Sequence, residues 1–207
     1  RVDQPEPGDI PVSATSVTDT RLASTISHDG ARVHTIEHLM SALHGLGITD
    51  CDILVDGDEM PALDGSARPY LEYLKAAGTH VLGEVLPIVI NTGMRVAKGD
   101  AWIEAMPGAF CIEYSIDFPE PAIGKQTFVY AGADFEHEIA PARTFGRLNE
   151  VDMMRAMGLA QGGGLHNAVV VNEDTILNPE GLRFPDEFVR HKVLDCLGDL
   201  WLLGRPI

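Results

Sequence analysis

Residues 186–203 constrain the fold most, because they predict a long helix that is apolar except for one polar stripe. The stripe consists of His191, Asp195 and Asp199, which are four residues apart and therefore share one helical face. Large apolar residues lie beside it: Phe188, Val193, Leu194, Leu197, Trp201 and Leu202. We expect such a stripe to face a partly closed cleft. The alternative is a solvated helix face that carries an ordinary His–Asp pair.

A second helix is predicted from residue 35, where Thr35 can cap it, to Gly47, where glycine ends it. Its first turn carries Glu37 and His38. A glutamate at this position is also explained by the helix macrodipole, so this pair alone indicates little.

Together the two helices supply a set of side chains suited to a hydrolytic zinc site. His38, His191 and Asp195 provide three ligands of suitable type, and Glu37 provides a further carboxylate. Three protein ligands leave a fourth position for a water, whose pKa falls to roughly 7 on zinc, and a nearby carboxylate can take its proton. Zn²⁺ is therefore expected, although two histidines and a carboxylate also suit Fe²⁺.

The remaining pattern predicts an α+β protein built from two units. In the first unit, a hairpin that turns at 28–30 precedes the Glu37 helix, and a strand and a helix follow at 52–55 and 69–77. In the second unit the predicted strands are 88–91, 94–97, 101–106, 110–117, 127–130, 135–139 and 168–172, with helices at 148–157 and 186–203. The glycine and proline in 78–87 favour a boundary there, which gives domains 1–82 and 83–207.

Composition narrows the possible partners. The chain has 15 Lys+Arg and 31 Asp+Glu, and its formal net charge of -16 disfavours attraction to nucleic acid or an anionic membrane. No apolar run approaches the roughly 18–20 residues that cross a bilayer, so stable membrane insertion is not expected. Cys51, Cys111 and Cys196 are odd in number and lie in apolar stretches, which predicts buried thiols and a cytoplasmic protein. We expect a monomer.

Five segments, in this order, resemble the UDP-3-O-acyl-N-acetylglucosamine deacetylases, the zinc enzymes of lipid A biosynthesis. The segments are TIEHL at 35–39, MPALDGSA at 60–67, PARTFG at 141–146, GLRF at 181–184 and FVRHKVLD at 188–195. The resemblance covers nearly all of the chain. It implies a two-layer sandwich of two related β-α-α-β domains, with the helices packed between the sheets and the site between the two halves.

The reaction that the resemblance implies is removal of the N-acetyl group from UDP-3-O-acyl-N-acetylglucosamine, with release of acetate. By motif position, His38, His191 and Asp195 match the zinc ligands, and Glu37 matches the general base. Thr144 matches the threonine that stabilises the oxyanion, Lys192 a lysine near polar groups of the substrate, and Asp199 a carboxylate that orients a catalytic histidine.

That histidine follows the last helix in the family, in a Gly-His motif, and this chain ends before it. The family's first strands, with a Gly-Leu-His segment, are also missing, so we expect a chain truncated at both ends. None of the eight histidines is an evident replacement for it; His166 is the only candidate near a plausible site loop, and its alternative is an ordinary solvated loop histidine.

An insert at 114–130 resembles the part of the family that forms an apolar passage for the acyl chain. Phe118, Ile123 and Val151 are candidates for its lining, with the protein core as the alternative for each. Phe118, Val151 and Phe145 are therefore expected to contact the substrate. Gly162–Gly164 favours a tight turn over a phosphate loop, since no Lys-Ser or Lys-Thr follows it. Asp64–Ser66 favours turn and helix-cap chemistry over catalysis.

Two alternatives to this function stay open. One is a related zinc amidohydrolase that acts on another N-acyl sugar. The other is an impaired fragment that only binds metal or ligand.

Overall fold

The computed structural model describes residues 2–3, 8–150 and 162–207, which form an α+β fold, as predicted. The helices are α1 (Glu37–Leu46), α2 (Arg68–Ala77), α3 (Phe135–Glu138) and α4 (Glu187–Trp201), preceded by a 3₁₀ turn at Ala14–Ser16. The strands are β1 (Val17–Asp19), β2 (Thr25–His28), β3 (Ala31–Val33), β4 (Met94–Lys98), β5 (Ala101–Ala105), β6 (Ile112–Asp117), β7 (Lys125–Tyr130), β8 (Phe145–Arg147), β9 (Val169–Asn172) and β10 (Thr175–Ile176).

The strands form small sheets. The first has the order β1-β2-β3 and is antiparallel. Its hairpin turns at Asp29-Gly30, where both residues have positive φ (47° and 82°), as the predicted tight turn requires. A second sheet has the order β10-β9-β8, in which β8 and β9 are parallel. The pairs β4-β5 and β6-β7 are separate antiparallel hairpins.

Helix α4 is the central element of the fold, because apolar residues from different faces of it enter two hydrophobic clusters. Its first turn, with Phe188 and Val189, packs with residues of β6 and β9. Its later turns pack with α1, α2 and the β2-β3 hairpin through Val193, Leu194, Leu197 and Trp201. A helix buried on several sides can hold polar residues only where other groups satisfy them. Along the polar stripe of α4, His191 is buried, Asp195 is half-buried and Asp199 is exposed.

Helices α1 and α4 approach each other closely at Gly198. A Cβ added at Gly198 would overlap the carbonyl oxygen of Glu37 and lie 2.9 Å from its carbonyl carbon. Only glycine permits this approach, and it brings the first turn of α1 against the polar stripe of α4.

Three predicted strands are wrong. Residues 52–55 and 88–91 pair in no sheet, because no neighbouring strand of the described chain lies beside either segment. Residues 135–138 form α3 instead of a strand, because Asp134 caps this turn by accepting a hydrogen bond from the His137 N–H at 3.1 Å.

Two further predictions differ from the structure. Helix α1 begins at Glu37, and Thr35 is not its cap: Thr35 has φ 59° and donates its hydroxyl to Glu59. The buried thiols are also not found, since Cys51 and Cys111 are exposed and Cys196 is half-buried; the apolar neighbours of Cys51 and Cys111 in sequence do not enclose them. Of the predicted helix at 148–157, residues 148–150 are helical and the rest lies outside the described residues.

Candidate metal centre

The first turn of α1 is held in place by the strand segment that precedes it. The Ile36 N–H donates to the Ser24 carbonyl at 3.3 Å, and the Ser24 N–H donates to Glu37 Oε2 at 3.0 Å. The Gly198 contact fixes the same turn from the α4 side. Glu37 and His38 are therefore placed by two elements that are far apart in sequence.

His38, His191 and Asp195 come together between α1 and α4. One ligand atom from each residue lies within 4.8 Å of the others. Asp195 Oδ1 is 3.3 Å from His191 Nε2 and 3.7 Å from His38 Nε2, and the two imidazole rings are nearly perpendicular. His38 is 4% exposed and His191 is 1% exposed. The predicted polar stripe is thus buried in part, which excludes a fully solvated helix face.

The protonation states suit a cation. Burial and the neighbouring His191 lower the pKa of His38 to about 4, and burial also lowers the pKa of His191. Burial opposes the ionisation of Asp195, but His191, Lys192 and His38 lower its pKa to about 2. Near neutral pH the group therefore offers two neutral imidazoles and one carboxylate, the forms in which these side chains bind metals.

The hydrogen bonds around the group leave its inner atoms free. His191 Nδ1 lies 3.0 Å from the Ala142 carbonyl oxygen, and donation there leaves the lone pair of Nε2 facing Asp195. Among the described residues, buried Asp195 Oδ1 has no hydrogen-bond partner. An unsatisfied buried acceptor is costly, and a cation beside it would relieve that cost. The residues present therefore fit a zinc ion held by three protein ligands.

Glu37 is buried beside this group, with a hydrogen bond from the Ser24 N–H. Burial and then the charge of Asp195 raise its pKa to about 8. The Ser24 hydroxyl donates to Asp199 Oδ1 at 2.6 Å, so one residue touches both carboxylates. Ser24 belongs to no sequence motif, so the sequence could not indicate its role, which depends on tertiary contacts.

Lys192 lies beside the group, and its side chain is 34% exposed. Its Nζ donates to Asp195 Oδ2 at 3.0 Å and lies 5.3 Å from the centre of the Phe145 ring. Thr144 is two residues after Ala142, whose carbonyl holds His191, and its N–H donates to the Gly65 carbonyl at 2.7 Å. The predicted site residues Thr144, Lys192 and Asp199 thus all belong to segments that line or support the His–His–Asp group.

The apolar residues predicted to contact the substrate are also adjacent. Phe145 packs edge to face with Phe118 at 5.5 Å and lies 6.4 Å from the His191 ring. Ile123 is buried in the cluster with β6, β9 and the first turn of α4, which is the core alternative. Val151 lies outside the described residues.

Two other segments form the turns that the sequence predicts. Asp64 accepts hydrogen bonds from the N–H and hydroxyl of Ser66, which is turn chemistry. The Gly164 N–H donates to Asn167 Oδ1 in a turn that leads into β9, as predicted. His166 is not part of the His–His–Asp group in the described part of the chain.

A buried His–His–Asp group with a carboxylate beside it, in an α+β fold, is a donor set of the kind found in metal-dependent hydrolases. The sequence model of one family, described as UDP-3-O-acyl N-acetylglycosamine deacetylase, matches residues 1–207. The chain belongs to this family.

Two curated relatives carry the name UDP-3-O-acyl-N-acetylglucosamine deacetylase. The protein of Myxococcus xanthus (strain DK1622) is 47% identical over 213 residues, covering 100% of this chain and 67% of the relative. The protein of Anaeromyxobacter dehalogenans (strain 2CP-C) is 46% identical over 203 residues, covering 96% of this chain and 66% of the relative. The chain thus spans about two thirds of the length of both. Within its described residues, it has no helix long and apolar enough to span a membrane.

Proposed function

We propose that this protein acts as a zinc-dependent hydrolase that removes the N-acetyl group from UDP-3-O-acyl-N-acetylglucosamine and releases acetate. The observation that carries the proposal is the convergence of His38, His191 and Asp195 beside the buried carboxylate of Glu37. Family membership supplies the substrate class. The cytoplasm is the proposed location, and a monomer of two domains is the proposed organisation.

His38, His191 and Asp195 would hold the metal. A zinc ion bound there supplies Lewis acidity, which brings the pKa of a water to roughly 7 and polarises a carbonyl. Fe²⁺ is the alternative metal for the same ligands.

Glu37 is the proposed general base. It accepts a proton from the attacking water and can pass it to the departing amine, and its hydrogen bond from Ser24 keeps the carboxylate fixed during both transfers. The Thr144 hydroxyl donates to the oxygen on which negative charge develops. Lys192 binds a polar oxygen of the substrate, while Asp199 supports the site through Ser24.

Phe118 and Phe145 are proposed to contact the acyl chain. They form an edge-to-face pair that reaches from the β6-β7 insert to the His191 ring. An apolar surface beside a charged site favours a substrate that carries both an acyl chain and polar groups. Val151 is the third residue proposed for this contact.

Metal stoichiometry tests the site itself. We expect about one zinc per chain in the purified protein and none in His191→Ala, because removing one of three ligands weakens a zinc site severely. A folded wild-type chain that binds no zinc would refute the ligand assignment.

Acetate release tests the reaction. We expect faster release from the acylated UDP-sugar than from UDP-N-acetylglucosamine, and Glu37→Ala is expected to keep its zinc but to lose turnover by about 100-fold or more. Equal rates on both sugars would favour an amidohydrolase with another N-acyl substrate. Zinc binding without any turnover would favour the fragment that only binds metal or ligand.

A further inference from the structure

Behind the His–His–Asp group lies a second, fully buried polar cluster that the proposed reaction does not use. Its centre is Glu187, the first residue of α4, which is 0% exposed. Glu187 precedes His191 by four residues and therefore lies one helical turn away on the same face. An ionised carboxylate at this depth must be compensated by several donors.

Three of the four donors to Glu187 belong to Arg143, and the fourth is the backbone N–H of Arg183. The N–H and Nε of Arg143 both donate to Glu187 Oε1, at 3.0 and 2.8 Å, and Arg143 Nη2 donates to Oε2 at 3.1 Å. The Arg183 N–H donates to the same Oε2 at 2.6 Å. Each carboxylate oxygen of Glu187 thus accepts two hydrogen bonds, and all four are charge-assisted.

Arg143 lies in sequence between Ala142, which contacts His191, and Thr144, a proposed catalytic residue. Ala142 precedes it and offers its carbonyl to His191 Nδ1 at 3.0 Å, and Thr144 follows it. Holding the Arg143 backbone and side chain against the first turn of α4 therefore fixes the Ala142 carbonyl opposite His191. That carbonyl sets both the ring orientation and the tautomer of His191.

We propose that Glu187 is a positioning residue for the metal centre: it ties the segment 141–144 to α4 and so holds the Ala142 carbonyl where it orients His191. The proposal rests on the proposed function, since it takes His191 to be a metal ligand. Glu187 itself touches neither metal nor substrate.

The variant that tests it is Glu187→Gln, which keeps the shape of the side chain. Both oxygens of Glu187 accept hydrogen bonds from N–H donors. A glutamine would place its NH₂ group, which cannot accept, opposite two of these donors, and would therefore lose the hydrogen bonds at that position. Glu180→Gln is the matched control, because Glu180 also accepts from Arg143, through Nη1 at 2.6 Å, but its side chain is 55% exposed.

Zinc dissociation constants are measured by competition with a chromophoric chelator, at a temperature where circular dichroism shows each metal-free variant to be folded. We expect Glu187→Gln to bind zinc about 10–100-fold more weakly than wild type, and Glu180→Gln to stay within about twofold. A nitrogen-edited NMR spectrum of the imidazole protons provides a second readout. The Nδ1–H signal of His191 should persist in Glu180→Gln and be lost or shifted in Glu187→Gln.

If Glu187→Gln does not fold, the double variant Arg143→Met/Glu187→Leu replaces the buried charges together, a change that proteins often tolerate. It is expected to fold and still to bind zinc at least about tenfold more weakly than wild type. Wild-type affinity in either folded variant would overturn the inference while leaving the metal centre intact. Failure of the wild-type chain to bind zinc would instead overturn the proposed metal centre, and with it this inference.

Discussion

The close approach of α1 and α4 at Gly198 makes a sharp test of how the site is assembled. In Gly198→Ala, the new Cβ would overlap the Glu37 carbonyl oxygen and lie 2.9 Å from its carbon and 3.1 Å from its Cα, where 3.4–4 Å is ordinary contact. All three atoms belong to the backbone, so no side chain can move aside. The two helices must therefore separate by about 1 Å to restore normal contact distances.

Two opposing terms set the change in stability. Overpacking of this kind costs about 1–3 kcal/mol, and the rigid backbone at this contact favours the upper part of that range. Replacing glycine by alanine within a helix returns about 1 kcal/mol of helix propensity. We expect the free energy of unfolding to fall by about 1–2 kcal/mol in urea denaturation.

The separation also moves Glu37 and His38 away from His191 and Asp195. A displacement of about 1 Å at a catalytic site costs on the order of 100-fold in rate, so acetate release should fall far more than stability does. Gly57→Ala is the control, because nothing lies within 4 Å of its added Cβ, and it should stay within about 0.5 kcal/mol of wild type. A Gly198→Ala protein with wild-type stability and zinc affinity would refute this account of the helix contact.

Three other perturbations have expected outcomes. His44 is half-buried against Trp201, and burial lowers its pKa to about 4. As the pH falls below about 6.5, His44 is therefore protonated in the unfolded chain before it is protonated in the folded one. The free energy of unfolding of the metal-free protein should fall by about 1–2 kcal/mol between pH 7 and pH 5. His44→Phe should remove that part of the slope, and an unchanged slope would contradict the assignment. Ser24→Ala loses the 2.6 Å hydrogen bond to Asp199, and its free energy of unfolding in urea denaturation should be about 1 kcal/mol lower than that of the wild type. Ser24→Thr keeps a hydroxyl and should retain this hydrogen bond. Arg183→Met removes the hydrogen bonds to Asp64 and to the Pro141 carbonyl, and should lower the free energy of unfolding by about 1–3 kcal/mol. Equal denaturation midpoints for the variant and the wild type would refute this.

The parts of the site that the sequence predicts are those set by local geometry. The spacing of His191 and Asp195 fixes their common face on any helix, and their large apolar neighbours indicate that this face is enclosed. The Asp29-Gly30 turn is equally local, since both residues tolerate positive φ. For these features the chain needs no partner to determine its conformation.

The parts that the sequence could not predict depend on contacts between distant segments. Residues 88–91 have a strand-like composition but find no neighbouring strand, and strand formation requires one. The Ala142 carbonyl that orients His191 is a backbone group, so no residue type indicates it. Glu187 looks like an ordinary first-turn acid in the sequence, and only the fold shows that it is buried against Arg143.

The proposed ligands are far apart in sequence, with His38 on α1 and His191 and Asp195 on α4. During synthesis, His38 therefore leaves the ribosome well before the other two ligands, and the set is complete only after α4 has been made. Zinc then binds the folded chain far better than the unfolded one, and at a free concentration 100 times the dissociation constant it adds about 2.7 kcal/mol to folding. Zinc supply would thus govern how much of this protein survives proteolysis in the cell, apart from any effect on its rate.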